Sequence, residues 1–368
     1  MNTIELENLR KPDGTPFFFE YDRKKVVEPD DFQFAAVQFE HGHIYGQIAH
    51  FKNSGAKLKW IFDKRPDVLK TLAEKYPDAK VARCMDEILD DQQVKLVTAA
   101  DIPSDRAALG IACMKAGKDY FTDKTPFTSL EQLAEAKRVV AETGRKYMVY
   151  YSERLGSEVA CAAGDMIEQG AIGKVVSIIG VGPHRMGAPS GRPAWFFKKA
   201  QYGGILTDIG SHQCEQFLHY AAAKDATVNS ARIANCKYTQ FPEFEDFGEA
   251  SLTSNNGVSF YYRVDWYTPD GLSSWGDGRT LIVGTDGYIE LRKFVDVATG
   301  FGYGQMYYVN KVGEYHVNAQ NTVGNPFFSK LILDCIHRTE NAMTQERAFK
   351  AAELCLKCQQ VAEAARRG

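Results

Sequence analysis

The sequence predicts an α/β protein in which a doubly wound parallel sheet is followed by a second region of mostly antiparallel strands. The length of 368 residues is more than twice the roughly 150 residues of a usual domain, which indicates two domains. Between residues 32 and 150, short apolar runs alternate with segments of helical spacing, as parallel strands joined by helical crossovers require. After residue 151 the predicted strands are longer, and dipeptides that favour hairpin turns lie between them.

Composition and charge exclude several classes of protein. Lys and Arg (44) nearly balance Asp and Glu (47), which gives a net charge of −3, whereas nucleic-acid and anionic-membrane binders need a basic surface. No apolar run approaches the roughly 20 residues of a membrane span, and the first residues contain no apolar signal core. The eight cysteines are scattered singly, as is typical of buried thiols in a reducing compartment. We therefore expect a cytoplasmic protein with no nucleic-acid or membrane partner.

The elements follow in order along the chain. Residues 1–31, with several charges and prolines, are predicted to form an arm that precedes the first domain, residues 32–150. Apolar residues at helical spacing follow each of the early predicted strands of this domain. These strands are 34–39, 58–62, 94–98, 119–121 and 147–151.

A second domain is predicted over residues 151–368, where the pattern changes to alternating strands and ends in a helical tail from Phe327. In the strand 258–267, one set of alternating side chains is apolar and is predicted to face the core. The other set carries Tyr and Arg, and it indicates either an oligomer surface or a hydrated face. The predicted strands of this domain are 175–179, 227–236, 249–253 and 258–267, with turns at Asn256-Gly257 and Asp286-Gly287.

The first strand-to-helix turn is a candidate nucleotide-binding turn. It reads Val37-Gln-Phe-Glu-His-Gly-His-Ile-Tyr-Gly46, so its glycine fingerprint is degenerate, but it opens a helix whose N-terminal amides could hold a phosphate. Asp63 ends the next strand about 20 residues downstream, where a carboxylate can accept bonds from a ribose 2′-hydroxyl. Lys64 and Arg65 could instead accommodate a 2′-phosphate, so the choice between NAD and NADP stays open, with NAD slightly favoured.

Lys124 is the first candidate catalytic residue. It follows the predicted strand at 119–121, and a lysine at the carboxyl end of a parallel strand points into the ligand crevice of such a sheet. Its ammonium could there stabilise alkoxide character on a substrate hydroxyl during hydride transfer. The alternative is a solvated loop lysine.

The most specific stretch runs from Gly203 to Gln216 and contains Asp208 and His212. Their spacing of four predicts that both side chains share one helix face. A neighbouring carboxylate orients an imidazole and favours its protonated form, which suits a general acid or base. The alternative is a structural histidine. The pair could also bind a metal ion, but we find no convincing third ligand and expect no metal.

These residues resemble the glucose–fructose oxidoreductase/inositol dehydrogenase (Gfo/Idh/MocA) family over about residues 33–368. The family's Glu-Lys-Pro motif appears as Asp123-Lys124-Thr125, without its proline. The family's Gly-Gly…Asp-x-x-x-His segment corresponds to Gly203, Gly204, Asp208 and His212. The resemblance implies a Rossmann first domain and a second α/β domain with a large open sheet, often used for oligomerisation. A homodimer or homotetramer is therefore expected.

The resemblance also implies a function, and together with the patterns above it leads to a set of expected site residues. We expect an NAD(P)-dependent oxidoreductase that moves a hydride between the cofactor and a hydroxyl or carbonyl carbon of a sugar, sugar derivative or polyol. The alternatives are an NAD-dependent glycosidase that oxidises the sugar transiently, and a non-catalytic nucleotide sensor. The expected catalytic residues are Lys124, Asp208 and His212; the cofactor residues Gly42, His43, Asp63, Lys64, Arg65, Asp123 and Lys124; and the substrate residues Arg154, His184, Arg185 and Trp195.

Overall fold

The first of two sheets is parallel throughout. In the computed structural model, which describes residues 3–22 and 24–367, this sheet has six strands in the order β4-β3-β2-β5-β6-β7. The strand order reverses between β2 and β5, and a crevice for ligands forms beyond the carboxyl ends of the strands at such a point. The strands are β2 (Gln33–Phe39), β3 (Lys57–Phe62), β4 (Lys80–Val81), β5 (Val94–Ala100), β6 (Asp119–Asp123) and β7 (Tyr147–Tyr150).

Helices connect these strands, as the alternating pattern predicts. The strands β2, β6 and β7 are buried along their whole length, which explains their continuous apolar runs, since helices cover both faces of a parallel sheet. The connecting helices are α1 (His43–Asn53), α2 (Pro66–Lys75), α3 (Met85–Leu89), α4 (Arg106–Lys115) and α5 (Leu130–Thr143).

The second sheet has nine strands in the order β1-β15-β14-β13-β12-β8-β11-β10-β9. Neighbouring strands are antiparallel except for the pairs β1–β15 and β8–β11, so the prediction of a mostly antiparallel sheet is confirmed. The strands are β1 (Thr3–Ile4), β8 (Val175–Pro183), β9 (Ala226–Ala234), β10 (Phe247–Ser254), β11 (Ser259–Asp265), β12 (Arg279–Gly284), β13 (Gly287–Arg292), β14 (Gln305–Asn310) and β15 (Glu314–Asn318).

One face of the second sheet is covered by helices and the other is open. The covering helices are α7 (Glu158–Glu168), α9 (Ile205–Asp208) and α10 (Gly210–Tyr220). The short helix α6 (Ser152–Leu155) packs on α7 and α10, and α8 (Lys199–Tyr202) precedes α9. In β11, Phe260, Tyr262 and Val264 are buried, whereas Tyr261 is exposed, as the alternation predicts. The open face also exposes Val176 and Ile179 of β8. Association of copies through this face stays a prediction.

Both ends of the chain cross between the two sheets. The arm places β1 beside β15 at the edge of the second sheet, and the Phe17 ring packs against Tyr308 with centroids 6.2 Å apart. At the other end, α11 (Phe327–His337) returns to the first sheet, where Phe328 packs on Phe51 and Tyr150. Helix α12 (Gln345–Arg367) then packs on α5, β7, α10 and β9. The two terminal segments thus add contacts between the two halves of the chain.

None of the helices that the structure describes is long and apolar enough to cross a membrane.

Candidate active site

A cavity of about 290 Å³ lies where the carboxyl edge of the first sheet meets the second domain. A site of this size suits a small ligand, at the lower end of the usual range of roughly 300–1,000 Å³ for ligand pockets. The β2–α1 loop, the end of β6, helix α10 and the segment after β8 contribute to its walls. The predicted residues His43, Lys124, His184, Arg185, Trp195, Asp208 and His212 all line it.

Lys124 and Asp208 form an ion pair in this cavity. The Lys124 Nζ atom lies 2.5 Å from Asp208 Oδ1, although the two residues are 84 positions apart in sequence. Burial alone would raise the pKa of Asp208, but the Lys124 ammonium outweighs burial and lowers this pKa below its ordinary value. The carboxylate thus holds the ammonium charge at a fixed point of the cavity.

Arg106 fixes the backbone that carries Lys124. Its guanidinium donates to the carbonyl oxygens of Asp123 (3.1 Å) and Thr125 (3.0 Å), and also to that of Lys124. A further bond from Nε reaches the Asp101 carbonyl at 2.7 Å. The peptide bond between Lys124 and Thr125 is cis. Because the planar guanidinium donates to three successive carbonyls, it holds the backbone of Lys124 in place. This contact does so although the motif's proline is absent.

His212 is buried on α10, but Asp208 does not orient it. Asp208 and His212 both line the cavity, as their spacing predicts, but the Asp208 carboxylate pairs with Lys124 instead. The expectation that Asp208 favours the protonated ring is wrong. Burial lowers the pKa of His212 well below its ordinary value, and the nearby Glu153 charge opposes this only in part. The imidazole is therefore neutral near pH 7 and able to accept a proton.

Glu153 belongs to a buried ion pair that the sequence analysis missed. Its Oε2 atom accepts bonds from Lys293 Nζ at 2.8 Å and from Gln213 Nε2 at 3.0 Å. Burial would raise the pKa of Glu153, but Lys293 and the nearby histidines lower it to about 2. The Glu153 carboxylate is thus charged, and its charge acts on His212. Glu153 follows Ser152 in an ordinary helical stretch, so no local pattern in the sequence marks it.

The turn between β2 and α1 suits a phosphate group at the start of α1, where no side chain caps the helix. Gly42 caps α1 without any side-chain hydrogen bond, the first turn holds no acidic residue, and the space beside Gly42 is open. Uncapped amides at such a helix start attract anions. Gln38 has a positive φ of 56°, a conformation for which glycine is the usual residue. The turn therefore keeps the backbone path of a glycine fingerprint at a position where the sequence lacks the glycine.

Asp63, Arg65 and Glu40 form a network at the expected ribose position. Asp63 accepts a bond from the Phe39 backbone amide at 2.8 Å, and its two oxygens also receive Nε and Nη2 of Arg65 at 2.8 and 2.9 Å. Arg65 Nη1 reaches Glu40 at 3.1 Å. The Asp63 carboxylate is thus fully engaged by protein donors, and the half-buried Arg65 is the cation presented at this edge. Lys64 is exposed beside it.

Two of the predicted cofactor residues are in contact with each other. Asp123 ends β6 with its side chain fully buried, and the Nδ1 atoms of His41 and His43 each lie 2.8 Å from one of its oxygens. His41 was not singled out from the sequence, although it stands two positions before His43. The pairing connects the β2–α1 turn to the segment that carries Lys124.

Of the four predicted substrate residues, His184, Arg185 and Trp195 line the cavity, and Arg154 does not. Burial lowers the pKa of His184 to about 4, and Trp195 donates from Nε1 to Glu40 at 3.1 Å. The Arg185 guanidinium is occupied by backbone carbonyls of the 269–274 loop. Arg154 is a correction: it does not line the cavity, because its guanidinium is buried in a two-pronged ion pair with Glu215, with Nε 2.9 and 2.8 Å from the two carboxylate oxygens.

Comparison with known proteins identifies the family. A model described as oxidoreductase family, NAD-binding Rossmann fold, matches residues 41–151, and the GFO/IDH/MocA C-terminal domain matches residues 161–290. A protein from Erwinia carotovora atroseptica SCRI1043, whose crystal structure is described as that of an oxidoreductase, is 45% identical to this chain in sequence. The two structures superpose with a TM-score of 0.87 over 90% of this chain and 98% of that one. The chain belongs to the Gfo/Idh/MocA family. Its first domain is of the family's NAD-binding Rossmann class, and the predicted resemblance is confirmed.

More distant family members act on sugars and polyols. A D-xylose dehydrogenase of Paenarthrobacter nicotinovorans is 25% identical over 55% of this chain and 52% of its own length. A scyllo-inositol 2-dehydrogenase (NADP(+)) of Bacillus subtilis is 27% identical over 42% of each chain. This chain thus spans about half or less of these two curated relatives. A levoglucosan dehydrogenase in complex with NADH and levoglucosan shares the fold, with a TM-score of 0.75 over 91% of this chain and 97% of that one, at 16% identity.

Replacing His212 by asparagine is expected to lower kcat by about 10²–10⁴-fold, the usual contribution of a general acid or base, because the variant removes the ring that the sequence predicts in this role. The Kd of the nicotinamide cofactor should be unchanged. Steady-state kinetics and cofactor titration measure the two effects separately. The matched control is His219→Asn on the same helix, whose ring contacts Arg347 outside the cavity. Full turnover in a folded His212→Asn protein would remove this residue from the mechanism.

Proposed function

We propose that this member of the Gfo/Idh/MocA family transfers a hydride between a nicotinamide cofactor and a CH–OH or carbonyl carbon of a small sugar, sugar derivative or polyol. The observation that carries the proposal is the Lys124–Asp208 contact of 2.5 Å in the cavity that His212 also lines. The names of the two curated dehydrogenases support this substrate class.

The bound nicotinamide would accept or return the hydride. The chain's own residues handle the proton and the charge on the substrate oxygen. During oxidation, the neutral imidazole of His212 accepts the hydroxyl proton, and the Lys124 ammonium stabilises the alkoxide character that develops on the same oxygen. Asp208 acts as a positioning residue, because its carboxylate accepts a hydrogen bond from the Lys124 ammonium and holds it in place. Reduction runs the same proton transfer in reverse.

Cofactor binding would use the first turn of α1 and the network at the end of β3. The backbone around Gly42 would receive the phosphates, since this turn is uncapped and open. Arg65 would be the group nearest the adenosine ribose, because the Asp63 oxygens are already engaged. His43, Asp123 and Lys64 remain proposed cofactor neighbours.

A substrate screen tests the proposal. Thermal melting with NAD and NADP identifies the cofactor, since a ligand that binds only the native state raises the melting temperature. A panel of monosaccharides and polyols is then assayed for net formation of reduced cofactor. Net reduction that disappears in a Lys124→Met variant supports the proposal. Tightly retained cofactor with glycoside cleavage and no net reduction would support the glycosidase instead, and cofactor binding without turnover on any glycoside or polyol would support the sensor.

Replacing Arg65 by alanine is expected to reduce NADP affinity by about tenfold or more, while NAD affinity stays the same or improves. A charged hydrogen bond to a 2′-phosphate contributes roughly 1.5–3 kcal/mol, and tenfold corresponds to about 1.4 kcal/mol. The same change frees the Asp63 carboxylate to accept ribose hydroxyls. Fluorescence titration with each reduced cofactor measures the ratio, and the control is Lys70→Ala, which removes an exposed cation of the following helix α2. Equal losses for both cofactors would contradict this role for Arg65.

A further inference from the structure

Three side chains beside the proposed hydride-transfer site form a cluster with the composition of a metal site. His41 and His43 stand on either side of Gly42 at the start of α1, and Asp123 ends β6. One potential ligand atom from each residue, a ring nitrogen of each histidine and a carboxylate oxygen, lie within 4.8 Å of one another. The residues come from two separate elements, so the fold rather than local sequence brings them together.

Part of this cluster is not explained by hydrogen bonding. His43 Nδ1 makes a hydrogen bond with Asp123 Oδ1. His41 Nδ1 lies equally close to Oδ2, at 2.8 Å, but in a geometry that is not a hydrogen bond. Neither His41 Nδ1 nor Asp123 Oδ2 has another hydrogen-bond partner among the described residues, and the Asp123 side chain is 0% exposed. Buried polar atoms are nearly always satisfied, so a carboxylate oxygen and a ring nitrogen 2.8 Å apart are both left without a hydrogen bond.

We propose that His41, His43 and Asp123 bind a divalent transition-metal ion of the Zn²⁺ class. Two imidazole nitrogens and one carboxylate form a ligand set used by zinc and by other first-row ions, with the remaining coordination positions open. Both imidazoles line the cavity, so these open positions would face the space where substrate is proposed to bind. The inference does not rest on the proposed hydride transfer, since it concerns binding by the protein without cofactor, and His43 and Asp123 would serve the metal ion in that state.

The geometry requires only a small adjustment. Bond lengths of about 2.0–2.2 Å in a tetrahedral zinc site place neighbouring donor atoms roughly 3.3 Å apart, whereas the two nitrogen–oxygen contacts are 2.8 Å. Side chains of His41 and His43 are 31% and 35% exposed, which gives the rings room to move by about half an ångström. The two histidines at the β2–α1 turn and the aspartate at the end of β6 would then hold the ion between these two elements.

Charge selects the kind of ion. Asp123 is the one carboxylate of the cluster, and the Arg106 Nη2 atom lies 3.7 Å from its Oδ2, so the site has little net negative charge. Mg²⁺ and Ca²⁺ depend on several oxygen donors and are poorly served here. Zn²⁺, Co²⁺ and Ni²⁺ bind neutral imidazole nitrogen strongly. The absence of a convincing third ligand, on which the sequence expectation of no metal rested, applied to Asp208 and His212 and not to this cluster.

Metal titration of the full chain tests the proposal without substrate or cofactor. Chelator-treated protein is titrated calorimetrically with Zn²⁺, and with Co²⁺ while its visible absorption is recorded. We expect one ion per chain, and cobalt bands without the thiolate charge-transfer absorption that cysteine ligands give. Loss of even an outer-shell partner weakens metal sites about 10–100-fold, so His41→Ala and His43→Ala should each weaken binding by about 100-fold or more.

The control variant is His337→Ala, whose histidine ends α11 outside the cavity and which should bind as the unmodified protein does. X-ray absorption of the zinc-loaded unmodified protein gives a second measurement that does not depend on a variant folding. It should show a first shell of nitrogen and oxygen at about 2.0–2.1 Å with imidazole scattering. No stoichiometric binding, sulfur in the first shell, or undiminished binding in a folded His41→Ala/His43→Ala protein would overturn the proposal.

Discussion

Replacing Lys124 by methionine is expected to lower kcat by about 10²–10³-fold, the usual cost of removing one group that stabilises a developing oxyanion. Methionine keeps most of the unbranched side chain, one atom shorter, and removes the charge that contacts Asp208 at 2.5 Å. Steady-state kinetics with the substrate found in the screen give the effect. Because Lys124 and His212 would act on one oxygen, the variant lacking both should lose less than the product of the two single effects.

The matched control for this variant is Lys118→Met. Lys118 is 2% exposed and donates to the Asp91 carbonyl at 2.7 Å, but it precedes β6 at the opposite edge of the sheet from Lys124. The Lys118→Met variant therefore loses a comparable buried hydrogen bond without a change in the cavity. Its kcat should stay within a few-fold of that of the unmodified protein. Similar kinetic losses in both variants would assign the effect to general destabilisation rather than to charge at the reacting oxygen.

Replacing Lys293 by methionine is expected to destabilise the protein by about 3–5 kcal/mol, because it leaves the buried Glu153 carboxylate without its cation. Lys293 Nζ contacts Glu153 Oε2 at 2.8 Å and Gln216 Oε1 at 2.7 Å, with both charged side chains almost fully buried. Urea unfolding measures the change. Replacing the partly exposed Lys330, which pairs with Glu20 near the surface, should cost at most about 1 kcal/mol.

A second substitution and pH separate lost charge from lost packing. Adding Glu153→Gln to Lys293→Met removes the unpaired charge and should restore much of the lost stability. The pKa of Glu153 is lowered to about 2 in the folded protein. Its stabilising contribution is therefore present above the ordinary glutamate pKa and is lost as the pH falls towards 2. In Lys293→Met the unpaired Glu153 carboxylate should protonate more readily. The loss in free energy of unfolding, relative to the unmodified protein, should therefore shrink as the pH falls. A deficit that is constant with pH would contradict a charge-based cause.

The first domain could be predicted closely because its elements have local signals. Short apolar runs separated by helical spacing mark β2, β3, β5 and β7 within a few residues of their observed bounds. The alternation in 258–267 likewise identified the buried face of β11. These patterns depend on hydrophobic periodicity, which is a property of neighbouring residues. Fold class and strand direction follow from it.

The site could be predicted only as a set of residues and not as a set of contacts. Lys124 and Asp208 were both named, yet their pairing across 84 positions is fixed by the docking of two domains. Arg154 was misplaced because its partner Glu215 lies 61 positions away, and nothing local indicates that this pair is buried. Glu153 and His41 went unnoticed for the same reason.

The return of α11 to the first sheet has a consequence for how the protein can be divided. Phe328 covers Phe51, Phe121 and Tyr150 with ring centroids 5.1, 5.6 and 5.3 Å away, so a fragment ending near residue 150 would present these rings to water. The nucleotide-binding half is thus completed by a segment synthesised nearly two hundred residues after its last strand, a separation that follows from the bounds of β7 and α11. Truncation, circular permutation or domain exchange between relatives must therefore transfer α11 together with the first sheet.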